Sequence, residues 1–167
     1  MTVLSNTSPI HYLILIGEVD ILPELFGRVL IPSAVNAELR AQGAPEAVRI
    51  WMSRSTDWLD IGSVSSSLAR ELSLSSKIDP GEREAIALAS EFASPLLLID
   101  DREGRRVAEE VGIRVVGTLG LLDRADAAGL IADLPTAVTR LRASGFRIAP
   151  ALVDHVLQRH KVRRATL

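Results

Sequence analysis

The segment DPGEREAIALASEFASPLLLIDDREGRR, residues 79–106, compresses a helix start, a helix, a strand and two acidic groups into one run. Pro80 and Gly81 follow Asp79, and Glu82 stands three residues after it, the spacing of an N-cap, a first-turn proline and a capping-box acid. Ala85, Ile86, Ala89 and Ala93 recur with Glu82 at the helical period, so a carboxylate heads the stripe expected to face the core. Residues 95–99 are apolar without a break, as in a parallel strand covered on both faces. Asp100 and Asp101 follow at its carboxyl end, where open α/β sheets hold their ligands. Each acidic group has a second reading as a cap, Asp79 with Glu82 at one helix and Asp100 with Glu103 at the next. Two adjacent aspartates are more than one cap requires.

Upstream, Val3 and Leu4 form a short apolar run, and Ser8-Pro9 predicts a helix over residues 9–16 directly behind it, which puts Asn6 at the end of a first strand. A helix over 19–26, a strand over 29–31 and a helix from Pro32-Ser33 to Gln42, stopped by Gly43, come next. On this last helix Glu38 lies three residues after Val35 and four after Ala34, on the apolar face; it either serves a site or swings to the edge of the stripe. Residues 45–51, 58–61 and 65–74 read as helix, strand and helix with little chemistry, and Trp51 and Trp58, among apolar neighbours, read as packing residues. Downstream lie helices over 103–111, 119–128, 134–144 and 150–160, a strand over 113–116 and a basic tail from Lys161 to Arg164. Strands alternating with helices predict an α/β layer architecture with a mainly parallel sheet.

The 167 residues suit one domain, 1–167, with a helical C-terminal extension over about 134–167. The absence of cysteine excludes thiol catalysis, zinc-thiolate sites and disulfides, and suits a reducing, cytoplasmic setting. The first residues lack a signal-peptide pattern, and no apolar run has the length of a membrane span. The net charge of −2 hides an asymmetry: residues 1–101 carry 7 basic and 14 acidic side chains, residues 102–167 carry 12 and 7. That separation is either ordinary solvated surface or an acidic pocket beside a basic rim that attracts phosphates.

In a parallel sheet, the strand ends before Asn6 and before Asp100 lie on one edge, which the start of the Glu82 helix can face. Close carboxylates repel unless a cation compensates them, and oxygen-only ligands suit Mg²⁺ or Mn²⁺. Glu38, Glu82, Asp100 and Asp101, with Asn6 supplying a neutral oxygen, are the candidate metal ligands; such an ion can activate water for phosphodiester cleavage.

SNTSPI behind the first strand, LIPSAVNAEL, DPGEREAIALA, LLLIDDREGRR and VVGTLGLL, in that order from about Val3 to Leu122, together resemble the PIN-domain proteins, in particular the branch of VapC-like toxins and their relatives. The resemblance implies a three-layer α/β/α sandwich and a Mg²⁺- or Mn²⁺-dependent endoribonuclease, often the toxin of a toxin–antitoxin pair. Carried over by residue, it assigns the catalytic acids to Glu38, Glu82 and Asp100, and Thr118 to a hydroxyl position near the site. The family's first-strand aspartate falls on Asn6, whose amide offers one acceptor oxygen and no charge. That substitution sets up the alternative: a PIN-fold RNA- or protein-binding module with weakened cleavage. Arg102, Arg105 and Arg106 are candidate phosphate clamps, or pair with Glu103, Glu109 and Glu110 on an exposed face. The expected partners are RNA, an antitoxin and a second copy of the chain, with no membrane.

Overall fold

The computed structural model describes residues 1–54, 56–75 and 77–166, and of residues 73–75 the backbone alone. Among the described residues one sheet is built from β1 (Val3–Ser5), β2 (Val29–Pro32), β3 (Leu59–Gly62), β4 (Leu96–Leu98) and β5 (Arg114–Val116). Its order is β3-β2-β1-β4-β5 and each pairing is parallel. Ten helices accompany it in the described chain: α1 (Thr7–Ile16), α2 (Ile21–Phe26), α3 (Ser33–Arg40), α4 (Glu46–Met52), α5 (Leu68–Ser75), α6 (Pro80–Ser90), α7 (Arg102–Glu110), α8 (Thr118–Ala127), α9 (Leu134–Ala143) and α10 (Pro150–Ala165).

Side-chain alternation on the strands creates the layers. Val3, Ile31, Leu96, Leu98 and Val116 point into a core shared with α1–α4 and α8–α10, while Leu4, Leu97 and Ile99 point into one shared with α5–α7. Burying both faces explains why residues 95–99 are uniformly apolar. Each fully buried leucine or isoleucine contributes about 1.5–3 kcal/mol. The result is a three-layer α/β/α sandwich with an all-parallel sheet, the class expected from the alternation of elements. No helix among the described residues is long and apolar enough to cross a membrane.

Sheet order positions the site. The chain winds outward from β1 through β2 to β3, then returns to the other side of β1 for β4 and β5, so the direction reverses between β1 and β4. Ligands of open α/β sheets bind beyond the carboxyl ends of the strands at such a reversal. The Asn6 N–H donates to the Leu98 carbonyl at 2.9 Å and the Ile99 N–H to the Val116 carbonyl at 2.9 Å, so the strand ends carrying Asn6 and Asp100 are held side by side.

Four local expectations need correction. Helix α1 begins at Thr7, with Asn6 in the N-cap position and Pro9 inside the first turn, not at its start. Helix α3 ends at Arg40 because Ala41 is already extended, and Gly43 lies in the following turn instead of stopping the helix. Helix α6 ends at Ser90, so Ala93 falls past its end, exposed and outside the buried stripe. Helix α10 runs on through residues 161–164, expected as a tail, because Arg163 on its inner face pairs with Asp123 and Asp126 of α8.

Candidate active site

The N-cap position before α1 is occupied by Asn6, a residue type whose side chain ordinarily accepts a hydrogen bond from its own helix. Here it makes no cap bond. Asn6 is 4% exposed, and its Oδ1 is buried with no hydrogen-bond partner. A buried carbonyl oxygen without a donor costs about 1–3 kcal/mol, so its retention calls for an explanation.

The acids around it are held by different devices. Asp100 caps α8 rather than its own helix: Oδ1 accepts the Thr118 N–H at 2.7 Å and Oδ2 the Thr118 hydroxyl at 2.7 Å. Thr118 itself is fully buried. Burial pushes the Asp100 carboxyl above its ordinary range, against the opposing pull of Thr118, the Ser8 hydroxyl and the Arg105 guanidinium. The cap expected of Asp100 and Glu103 belongs to Asp101, whose Oδ2 accepts the N–H groups of Glu103 and Gly104 at 2.8 and 2.9 Å.

The capping box at α6 is present, with the Glu82 N–H donating to Asp79 at 2.8 Å and the Asp79 N–H to Glu82 Oε2 at 3.2 Å. Glu82 is nevertheless only 5% exposed, and its carboxyl is raised to about 7, first by burial and then by the negative charges of Asp79, Asp101 and Glu38. One residue thus serves as cap and as a proton-holding group inside an acidic cluster. Glu38, half-buried on α3, accepts a hydrogen bond from the Thr7 hydroxyl. Glu84 turns away and accepts the Ala34 N–H at 3.0 Å, capping α3.

Three glycines make room for these carboxylates. A Cβ on Gly81 would stand 2.5 Å from Glu38 Oε1, and one on Gly104 would stand 3.3 Å from Glu82 Oε1 and 2.7 Å from Ile99 Cδ1. A Cβ on Gly117 would stand 3.0 Å from Asp100 Oδ1 and 2.8 Å from an Arg105 nitrogen.

Asn6, Glu38, Glu82, Asp100, Asp101 and Arg102 line one open cleft of about 620 Å³. Arg105 stands beside Asp100, whereas Arg106 turns outward to pair with Glu103 and Glu110. Residues not singled out in the sequence complete the cleft: Ser8, His11 and Tyr12 from α1, and Phe146 and Arg147 from the turn between α9 and α10. His11 lies one helical turn after Thr7, a spacing that could have drawn attention to it; burial lowers its imidazole below the ordinary value. The turn at 145–147 carries no periodic signal.

Every candidate ligand is an oxygen donor, the chemistry preferred by Mg²⁺ and Mn²⁺. Among the described residues no group of three or more His, Asp or Glu side chains is close enough to hold a metal ion as it stands. The acids share a cleft, not one point. The donors still fit an ion of the Mg²⁺ type, which keeps several waters and needs only one or two carboxylates directly. The unpartnered Asn6 oxygen adds a neutral donor at the same cleft.

A family model described as a PIN domain matches residues 2–162. No curated protein and no solved structure shows significant similarity to the chain.

Proposed function

The chain belongs to the PIN-domain family, and from that premise we propose that it is a Mg²⁺- or Mn²⁺-dependent endoribonuclease, the toxin of a toxin–antitoxin pair. PIN domains are generally metal-dependent nucleases that act on nucleic acid. The observation that carries the reading is the buried, unpartnered Asn6 oxygen in a cleft with Glu38, Glu82 and Asp100. One or two of Glu38, Glu82 and Asp100 would hold the ion directly with the Asn6 oxygen and the others through its waters, with Asp101 offering the oxygen that its cap leaves free. When bound, the ion supplies charge neutralisation at the phosphodiester and an activated water.

The chain's own residues do the positioning. Thr118 and Ser8 fix the Asp100 carboxylate, and Thr7 orients Glu38. Arg102, which lines the cleft, and Arg105, beside Asp100, would meet phosphate oxygens. The toxin assignment and an antitoxin partner rest on the resemblance of the motifs, a homodimer on the apolar terminal helices, and a cytoplasmic setting on the absence of cysteine.

Purified protein is expected to cleave single-stranded RNA with Mn²⁺ or Mg²⁺, and Asp100→Asn to abolish the cleavage. Equal activity of the two proteins over a range of metals and RNAs sinks the catalytic assignment. A second reading, a PIN-fold binding module with weakened cleavage, is favoured by the neutral amide of Asn6, which lowers the affinity of the donor set for a dication. Asn6→Asp decides between them: a large rise in cleavage from a near-inactive wild type supports the weakened module, and an active wild type with little gain removes it.

A further inference from the structure

A second cavity, of about 330 Å³, opens beside the acidic cleft and shares Asp100, Phe146 and Arg147 with it. Its floor is apolar, with Val116 and Leu119 from β5 and α8, and Leu152 on α10 at its mouth, 57% exposed. Its size falls at the lower end of cavities that take small organic ligands. Phe146 is half-buried and held edge-on by the Tyr12 ring, with centroids 4.8 Å apart and planes at 82°. That contact fixes the ring while the residue still lines both cavities. Arg105, which stands beside Asp100, and Arg147 border the junction, and neither guanidinium is taken up by a hydrogen bond or a salt bridge among the described residues. Arg106, one residue on, has both.

An apolar pocket with an aromatic wall and two guanidinium groups at its entrance matches one unpaired nucleotide: the base enters the pocket and its phosphate meets the arginines. We infer that this cavity is a nucleobase subsite, taking the base of the nucleotide next to the phosphodiester at the acidic cleft. The inference rests on the nuclease reading and deepens it, since the shared Asp100 places the pocket one nucleotide away from the cleavage chemistry. Base–aromatic stacking tolerates any base, so the pocket selects for an unstacked, single-stranded position rather than for a sequence. Duplex RNA keeps its bases paired and cannot fill it.

The test uses the full-length protein and a short single-stranded RNA, intact or carrying one abasic nucleotide moved along the strand. Binding with Mn²⁺ is read by fluorescence anisotropy and cleavage by product mapping. Wild type is expected to lose about tenfold in affinity when the abasic position falls beside the cleavage site, the size of one stacked base. Phe146→Ala is expected to lose a similar factor on intact RNA and nothing more on that abasic RNA. Because Phe146 packs on Tyr12, Leu152→Gln serves as a second variant; its exposed side chain can change without disturbing the core, it adds no charge against phosphate, and it should show the same pattern. Intact and abasic RNA bound equally by wild type, or additive losses in both variants, overturn the subsite while leaving cleavage in place. Absence of both RNA binding and cleavage in wild type overturns the nuclease reading instead.

Discussion

Glu82 concentrates two demands in one side chain. Its Oε2 accepts the Asp79 N–H that opens α6, while burial and three acidic neighbours raise its carboxyl from 4.5 to about 7. The raised value makes the residue a destabilising element at neutral pH. Below pH 4.5 folded and unfolded chains are both protonated at this position, and its contribution to stability is complete. As pH rises from 4.5 to about 7 the unfolded chain ionises first, so that contribution is lost progressively, and above about 7 the loss is constant. Glu82→Gln keeps an oxygen for the Asp79 N–H but carries no charge. In urea unfolding with a chelator present, its stability relative to wild type should rise over that pH window and level off above it. A difference independent of pH would remove the account of Glu82. Added Mn²⁺ should stabilise wild type more than the variant at pH 8, because an ion that binds only the folded state shifts the equilibrium toward it.

Helix starts determine where the carboxylates stand, and a glycine in the first turn of α6 admits the acid from α3. On Gly81→Ala the new Cβ would meet Glu38 Oε1 at 2.5 Å, but a carboxylate is the mobile end of a flexible side chain and gives way before the helix does. Alanine also has the higher helix propensity, by up to about 1 kcal/mol. The variant should therefore melt at or slightly above the wild-type temperature while cleavage falls on the order of a hundredfold, the cost of a ligand misplaced by about 1 Å. Unchanged cleavage would show that Glu38 needs no such seat. A second element-scale device fastens α10. Asp126, with its side chain 2% exposed, binds His160 Nδ1 at 2.9 Å and Arg163 at 2.6 Å, and Asp123 binds Arg163 at 2.8 Å. Burial works to raise the Asp126 carboxyl, yet the hydrogen bonds from His160 and Arg163 outweigh it and hold the carboxyl below 3.8. Asp126→Ala should cost about 2 kcal/mol at pH 7 by urea unfolding, since it removes the hydrogen-bond partner of His160 and one of the two carboxylates that hold Arg163. That cost should shrink as pH falls below 3.8 through the lowered native value, where the wild-type carboxylate itself takes up a proton.

At the scale of the molecule, what was legible in the sequence follows from how far each signal reaches. The layer class came from local pattern: the uniformly apolar residues 95–99 need two covered faces, and the helical stripe from Glu82 needs a core. Asn6, Glu82 and Asp100 were legible because each closes or opens an element. Sheet order was not, since pairing β1 with β4 joins residues more than ninety positions apart and leaves no local trace. Nor was the turn with Phe146 and Arg147, which reaches the cleft only because α9 and α10 fold back over α1 and α8. The same fold-back redistributes the positive charge. Arg163 is neutralised by α8 and Arg106 by its own helix, which leaves Arg102, Arg105 and Arg147 around the acids. On the proposed ribonuclease reading, a chain of net charge −2 would meet RNA through this small set of cations. Three phosphate contacts on a single strand give a slope of about −2 for log affinity against log salt, or roughly a twentyfold loss between about 50 and about 200 mM salt. Anisotropy titrations at fixed Mn²⁺ should find that slope, and replacing all three arginines by glutamine should flatten it toward zero. A slope several times steeper would implicate the remaining surface arginines, and one unmoved by the triple replacement would place the RNA elsewhere on the molecule.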